Sequence, residues 1–203
     1  MRNQTYAVKE GMSVRDIVNT GIFSALFFVF YMLGGLFFAP NPVLTFYMPL
    51  GSALLCGPIF MVLVAKVHKR FAITVLGVML GLVMWATGMH WAFGLGLIVM
   101  GSVGDLIAGI GGYKSVKMDI LAYMAISFGS TWSYIAFFAD PAGWAGIMLK
   151  KGTSQEYIDT MMASAPGWLM AVVLLGTLVV AAFSGWLGSR MVRKQFDRAG
   201  ITQ

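Results

Sequence analysis

Few residues in this sequence could carry out chemistry, and two histidines and one aspartate stand out. His68 and His90 are the only histidines, and Asp105 is the only acidic residue inside a long apolar run. His90 could donate a hydrogen bond or ligate a metal or haem; the alternative is a histidine in a tight interfacial turn. Charges inside apolar runs often mark function. We expect a structural role for Asp105, either accepting hydrogen bonds from a neighbouring helix or pairing with Lys114 or Lys117.

The motifs of several enzyme classes are missing. The sequence contains no His-Glu-x-x-His zinc motif, no Asp-rich prenyl-diphosphate motif and no Gly-x-x-x-x-Gly-Lys-[Ser/Thr] phosphate-binding loop. Cys56 is the only cysteine, so no disulfide can form within the chain. We therefore expect no catalytic residues, no metal site and no cofactor, and we expect that the protein does not hydrolyse ATP itself.

Aromatic residues gather near three of the segments that separate the apolar runs. An interfacial belt accounts for many such residues in membrane proteins, but the two basic connections hold just Phe71 and Tyr113. This asymmetry predicts a pocket on one side, lined by aromatic and methionine side chains with few charges. Such a pocket suits a bulky, partly apolar substrate that is aromatic, vitamin-like or porphyrin-type. The candidate substrate-binding residues are Phe46, Tyr47, Trp85, His90, Trp91, Trp132, Tyr134, Trp144 and Trp168.

The elements that hold these residues are predicted to be membrane-spanning helices. The 203-residue chain is 59% hydrophobic and 11% charged, and its mean hydropathy is +0.80. A soluble domain carries about 25% charged residues, so most of this chain faces lipid. About 20 apolar residues make one span, which predicts an all-α integral membrane six-helix bundle forming a single transmembrane domain over 1–203. The predicted spans are 17–38, 44–65, 72–87, 91–110, 120–138 and 168–188.

Local signals refine the first two spans. Ser13 and Asp16 have the spacing of a capping box just before the first span, which is typical of a helix start. Pro49 and Pro58 predict kinks in the second span, because proline interrupts helical hydrogen bonding.

Basic residues are distributed unevenly about the predicted spans. Twelve of the 14 Lys and Arg residues lie in the two chain ends and in the connections after the second and fourth spans, while the other side keeps only Lys150 and Lys151. Since basic loops stay in the cytoplasm, both termini are predicted to be cytoplasmic. The net charge of +6 reflects this bias, so we expect membrane lipids, and no nucleic acid, as partners.

The segment 139–167 is too long to be a simple connector. Thr153 and Glu156 have capping-box spacing, and Tyr157, Ile158 and Met161 then recur at helical spacing. We predict an extracellular lid of one or two short helices on the outer membrane face. The alternative is an irregular loop anchored by interfacial tryptophans.

Three pairs of small residues have the four-residue spacing that lets helix backbones approach closely. They are Gly21 and Ala25, Gly77 and Gly81, and Ala181 and Gly185. The general interpretation is packing within the bundle, and a contact with a second protein is the alternative for any one pair.

The order of several short motifs resembles a known family. The motifs lie at 16–25, 57–61, 65–67, 87–91, 111–115 and 193–201. In their order and spacing the chain resembles the bacterial Trep_Strep membrane proteins, which are grouped with the substrate-binding S-components of energy-coupling factor (ECF) transporters. One departure is Met89, which stands before His90 where the family motif often reads Gly-His.

The resemblance implies a function in the bacterial cell membrane. S-components are six-helix proteins that bind a micronutrient from outside and dock onto one transmembrane coupling subunit and two cytoplasmic ATPase subunits. Their docking surface includes an Ala-xxx-Ala motif on the first helix, to which Gly21 and Ala25 correspond here. The resemblance therefore implies a substrate-binding subunit of an ABC-type importer. The alternatives are a stand-alone secondary carrier or channel and a membrane-embedded lipid-modifying enzyme.

Overall fold

Helices make up nearly all of the chain that the structure describes. The computed structural model describes residues 11–198, with side chains through 194, and no β-strand occurs between those limits. The helices are α1 (Val14–Leu36), α2 (Met48–Lys66), α3 (Ala72–Ala86), α4 (Trp91–Ile110), α5 (Val116–Gly129), α6 (Trp132–Ala139), α7 (Pro141–Lys150), α8 (Gln155–Ala163) and α9 (Trp168–Arg198), with a 3-10 turn at Thr45–Tyr47 before α2. The expected all-α class is confirmed over these residues. The two ends of the chain, on which the charge count partly rests, lie outside the described residues.

Within residues 11–198, four helical segments are each long and apolar enough to cross a membrane. They are Val14–Leu36, Thr45–Lys66, Trp91–Ile110 and Trp168–Lys194. The pair α5–α6 passes the same test together, which brings the candidates to five. α3 is apolar but has only 15 residues, or about 22 Å at 1.5 Å per residue, against a hydrocarbon core of about 30 Å. The sixth span thus stays a prediction, as does the side on which the termini lie.

The predicted capping box at the start of α1 is confirmed. The Ser13 hydroxyl accepts a hydrogen bond from the Asp16 backbone N–H at 3.2 Å, and the Asp16 carboxylate accepts from the Ser13 N–H at 2.9 Å. The prediction of a kink at Pro49 is wrong. Pro49 lies in the first turn of α2, where its missing N–H has no helical acceptor to lose; Pro58 lies inside the helix.

Two predicted spans have different limits in the structure. The fifth is broken into α5 and α6, which bend by 41° at Ser130–Thr131. The sixth does not end near 188, because α9 continues to Arg198 through residues predicted to form a basic tail. Helix formation does not require apolar residues once the chain has left lipid, so hydropathy could not mark that end.

The helix directions place both described ends of the chain at the same end of the bundle. α9 runs parallel to α2, since Gly176 lies against Leu50 and Gly188 against Pro58. We call this end, which holds the start of α1, residues 67–71, residues 111–115 and the end of α9, the terminal end. The opposite end, which holds residues 37–47, 87–90 and 139–167, is the loop end.

Asp105 fixes the start of α3 at the terminal end. Its buried carboxylate accepts hydrogen bonds from the backbone N–H groups of Phe71 (3.0 Å) and Ile73 (3.2 Å) and from the Tyr113 hydroxyl (3.2 Å). Phe71 has φ 74°, so the chain turns sharply into α3 there and leaves N–H groups that need an acceptor. Burial and the neighbouring carboxylate raise the pKa of Tyr113 to about 12. Asp105 therefore has the structural role that the sequence predicts, by hydrogen bonding rather than by pairing with Lys114 or Lys117.

Two of the three small-residue pairs pack inside the bundle. A Cβ placed on Gly77 would lie 2.5 Å from the Leu97 carbonyl oxygen, and one on Gly81 would lie 2.6 Å from that of Gly94. α3 and α4 therefore pack backbone to backbone. Ala181 is buried, and Gly185 faces Tyr123 and Ile120 of α5. These pairs serve internal packing.

Candidate ligand-binding site

A cavity of about 230 Å³ lies at the loop end of the bundle. Its walls come from the 37–47 connection, the start of α2, the turn before α4, α4 itself, α6, α7, α8 and the loop between α7 and α8. We call it the loop-end cavity. Ser133 and Tyr134, which follow the bend between α5 and α6, form one wall.

At the bend, hydroxyl side chains donate to two carbonyl groups at the end of α5 that also accept the backbone N–H groups of Ser130 and Thr131. The Ser130 hydroxyl donates to the Ser127 carbonyl at 2.6 Å, and the Thr131 hydroxyl donates to the Phe128 carbonyl at 2.7 Å. Beyond the bend, the Tyr134 hydroxyl donates to the Thr45 carbonyl at 2.6 Å. α6 is thereby fastened to the 3-10 turn before α2.

α7 covers the cavity through Trp144. Asp140 caps α7 by accepting from the Gly143 N–H at 2.9 Å. The Trp144 indole N–H donates to the Ser133 hydroxyl at 3.1 Å, and its ring meets Phe137 edge to face at 5.2 Å. Trp144 is buried, so it joins the covering helix to α6.

α8 completes the cover. Its N-cap is Ser154, whose hydroxyl accepts from the Tyr157 N–H at 3.3 Å; the predicted cap at Thr153 is wrong by one residue, and Thr153 instead lines the cavity. The Tyr157 hydroxyl donates to the Ala39 carbonyl at 2.7 Å, and burial raises the Tyr157 pKa, so it stays protonated as a donor. Ile158 is fully buried beneath the helix.

His90 holds the start of α4 and lines the cavity. It is 2% exposed, and its Nδ1 accepts a hydrogen bond from the Ala92 N–H at 3.2 Å. Since Nδ1 is an acceptor, the neutral ring carries its proton on Nε2. The ring stacks on Trp144, with centroids 6.2 Å apart and planes at 24°. Burial lowers the pKa of His90, and the nearby Lys151 lowers it further. His90 therefore offers one N–H donor, at Nε2, to a ligand.

The rest of the lining carries little charge. Apart from His90, its polar side chains are Thr45, Ser133, Thr153, Tyr134, Tyr157 and the indole of Trp144, and its sulfur atoms come from Met48, Met89, Met148 and Met161. No lining residue is acidic, lysine or arginine. Lys151 lies nearby and donates to the Met89 carbonyl. Across residues 11–198, no group of three or more His, Cys, Asp or Glu side chains could hold a metal ion. The arrangement suits a small neutral molecule with apolar faces and a few hydrogen-bonding groups.

The structure brings three of the nine candidate substrate-binding residues to the cavity wall. These are His90, Tyr134 and Trp144. Phe46 is fully buried behind the wall, where its ring contacts those of Tyr134 and Phe137 at centroid distances of 5.8 Å and 5.4 Å. Tyr47 is partly buried against the same aromatic cluster.

The other four candidates lie away from the cavity. Trp85, Trp91 and Trp168 are 59%, 52% and 64% exposed on the outside of the bundle, where an interfacial belt would place them. Trp132 packs against Gly96 at the crossing of α4 and α6. The methionine and hydroxyl side chains that line the wall were not among the nine candidate residues. For α8, the helical spacing of Tyr157, Ile158 and Met161 was the feature of the sequence that could have pointed to these lining residues.

The candidate partner-docking pair has no packing role in the bundle. A Cβ placed on Gly21 would meet no atom within 4 Å, and Ala25 is exposed. Large apolar residues surround them on α1, among them Ile22 and Val29. This face of α1 therefore lies on the outside, unlike the faces of the other two small-residue pairs.

Comparison with known proteins identifies a family. The family model Trep_Strep, described as a hypothetical bacterial integral membrane protein, matches residues 14–198. No curated protein and no solved structure matches the chain. Together with the apolar helices, the match makes this a multi-pass membrane protein.

Proposed function

This chain belongs to the Trep_Strep family of bacterial integral membrane proteins, and from that premise we propose that it is the substrate-binding S-component of an ECF-type importer. The observation that carries the proposal is the loop-end cavity, covered by α7 and α8 and nearly free of charge. A binding subunit needs a site that a cover can close, and it needs no ATP-binding motif of its own. It would act in the bacterial cytoplasmic membrane, with the loop end outside and both termini in the cytoplasm, and would not be an enzyme.

The size and chemistry of the cavity narrow the substrate class. At about 230 Å³ the cavity lies below the range of about 300–1,000 Å³ that drug-sized ligands occupy. A porphyrin would not fit beneath the closed cover, so a vitamin-sized ring compound is favoured. The Nε2–H of His90 would bind an acceptor atom on the ring, and Trp144 and the methionines would pack against its faces.

A ligand search tests the site directly. The protein is purified in mild detergent and native mass spectrometry identifies the small molecule that remains bound. Trp144→Ala should reduce the bound fraction at least tenfold, since it removes one face of the cavity. Trp168→Ala, at a tryptophan exposed on the same end, should behave as the parent. Equal retention by both variants, or a bare metal ion as the sole bound species, would refute the proposed site.

The exposed small-residue face of α1 is the proposed contact with the transmembrane coupling subunit, which would bring two cytoplasmic ATPase subunits. Leucine at Gly21 or Ala25 would hold the partner helix away, because close helix approach in lipid requires small residues. Gly21→Leu and Ala25→Leu should abolish co-purification with the ATPase module and leave ligand binding intact. Ala171→Leu, at a small exposed residue on α9, is the matched control. Full complex formation by both α1 variants would contradict the docking assignment, and ligand uptake by the purified chain alone would indicate a stand-alone carrier.

A further inference from the structure

A second cavity, of about 130 Å³, lies at the terminal end between α2, α5 and α9. Its polar side chains are His68, Lys114, Asp119, Ser189 and Arg193. We call it the terminal-end cavity. It shares no lining residue with the loop-end cavity and has no part in the proposed function.

Asp119 is the unusual member of this group. Its side chain is 7% exposed, and its Oδ1 is fully buried without a hydrogen-bond partner. The position is set by the first turn of α5, where the Asp119 N–H donates to the Ser115 carbonyl at 2.9 Å. A buried carboxylate oxygen without a hydrogen-bond donor is energetically costly, more so when the group is charged. The site therefore calls for a ligand that donates hydrogen bonds, preferably a cation.

The cavity also carries two basic groups that do not neutralise this carboxylate. Lys114 and Arg193 line it, yet within the part of the chain that the structure describes neither forms an ion pair or hydrogen bond with Asp119. His68 is close enough to Lys114 for the lysine charge to lower its pKa, with burial the larger cause. His68 is thus neutral at pH 7, and Lys114 and Arg193 supply the positive charge. One cavity thus presents a carboxylate and separate cations.

The position of the cavity indicates the membrane–water boundary. It lies where α2 ends at Lys66 and α5 begins at Val116, and Met61, Val64 and Val192 form an apolar wall. On α9 the Arg190 guanidinium stacks over the Trp186 ring at 4.1 Å, a pairing typical of helix segments leaving lipid. A ligand here can have a polar head in the cavity and an apolar remainder along the helices.

We propose that the terminal-end cavity binds the headgroup of an ethanolamine phospholipid. The primary ammonium donates to Asp119, the phosphate contacts Lys114 and Arg193, and the acyl chains follow the apolar wall. A volume of about 130 Å³ is several times the roughly 10–15 Å³ that a single water molecule requires, so the aminoethyl group fits with the phosphate at the mouth. A metal ion fits less well, because Ca²⁺ needs six to eight oxygen ligands and the cavity offers one carboxylate and one serine hydroxyl.

The proposed contacts predict which of three lipid headgroups the protein retains most strongly. A choline headgroup has no N–H to donate and is bulkier, and a glycerol headgroup donates only from neutral hydroxyl groups, so neither gives Asp119 a cationic donor. The full chain is exchanged into detergent with equimolar dioleoyl phosphatidylethanolamine, phosphatidylcholine and phosphatidylglycerol, and retained lipids are counted by native mass spectrometry. The ethanolamine lipid should be retained about tenfold more than either other lipid.

Substitutions test the proposed ammonium contact and the proposed phosphate contact separately. Asp119→Asn should abolish the preference for ethanolamine over choline, while Asp159→Asn, at an exposed aspartate of the loop end, should keep it. Lys114→Gln, at an exposed position, should weaken retention of both lipids and leave their ratio unchanged. Equal retention of the ethanolamine and choline lipids by the parent, or preference for the glycerol lipid, would overturn the proposal. Displacement by equimolar free phosphoethanolamine would overturn the lipid assignment and point to a soluble ligand.

Discussion

Replacing Asp105 by asparagine should destabilise the protein without touching the ligand site. The carboxylate accepts three hydrogen bonds, from Phe71, Ile73 and Tyr113, through both of its oxygens. Asparagine keeps one acceptor oxygen and turns an NH₂ group towards an N–H, so at least one backbone donor loses its partner. An orphaned buried donor costs about 1–3 kcal/mol, and the lost charge weakens the bonds that remain. We expect a loss of about 3 kcal/mol in the free energy of unfolding.

The assay is thermal unfolding in mild detergent, followed by intrinsic tryptophan fluorescence. For chains of 150–250 residues, 1 kcal/mol shifts Tm by about 2–4 °C, so Asp105→Asn should lower Tm by about 6–12 °C. Ser102→Ala is the control on the same helix, because the Ser102 hydroxyl only donates to the Ile98 carbonyl one turn earlier; it should shift Tm by less than about 2 °C. A Tm for Asp105→Asn equal to that of the control would refute the reasoning. Normal Tm with lost ligand binding would instead make Asp105 a functional residue.

Three further predictions follow from single contacts. Gly96→Ala should lower Tm strongly, because its Cβ would lie 2.7 Å from the indole ring that packs there, whereas Gly146→Ala, with nothing within 4 Å, should not. Tyr134→Phe removes the donor to the Thr45 carbonyl and should cost about 1–2 kcal/mol, read as a fall of about 2–8 °C in Tm; an unchanged melting curve would contradict this. Because the His90 pKa is lowered from 6.5 in the folded protein, the folded state binds fewer protons, so its contribution to stability is complete above pH 6.5 and is lost as the pH falls below it. Tm measured between pH 5 and 7.5 should therefore fall less steeply on the acid side for His90→Gln than for the parent.

The sequence predicted helix positions well where local signals and hydropathy coincide. Ser13 and Asp16 form the expected capping box, and the run from 91 to 110 is a helix over those residues. It missed the break at Ser130–Thr131, because apolar residues continue on both sides of the bend and only two hydroxyl side chains, which donate to carbonyls at the end of α5, distinguish it. It also missed the length of α9, since nothing in hydropathy marks a helix that continues beyond lipid.

The site was harder to predict than the helices, for a physical reason. A tryptophan at a membrane interface and a tryptophan in a cavity wall both occur near the ends of apolar runs, so the sequence does not distinguish them. Trp144 and Trp168 differ only in what tertiary packing places against them: the first meets Ser133, His90 and Phe137, and the second remains mostly exposed. The sequence allowed the prediction that Asp105 has a structural role, because a buried carboxylate needs hydrogen-bond donors. Its two backbone donors were not predictable, because Phe71 and Ile73 lie more than 30 residues away in sequence, at the start of α3.

The helices α5 and α6 form two arms of unequal length that are joined at the bend. The two arms meet next to the contact of Gly129 with Gly96, where a Cβ on Gly129 would lie 2.8 Å from the Gly96 carbonyl carbon. The short arm, α6, has eight residues and is about 12 Å long; the long arm, α5, has 14 residues and is about 21 Å long. The short arm forms a wall of the loop-end cavity, and the long arm carries Asp119 in the terminal-end cavity. If the pair turns as one body and both proposed ligands bind, filling either cavity changes the affinity of the other by the same factor.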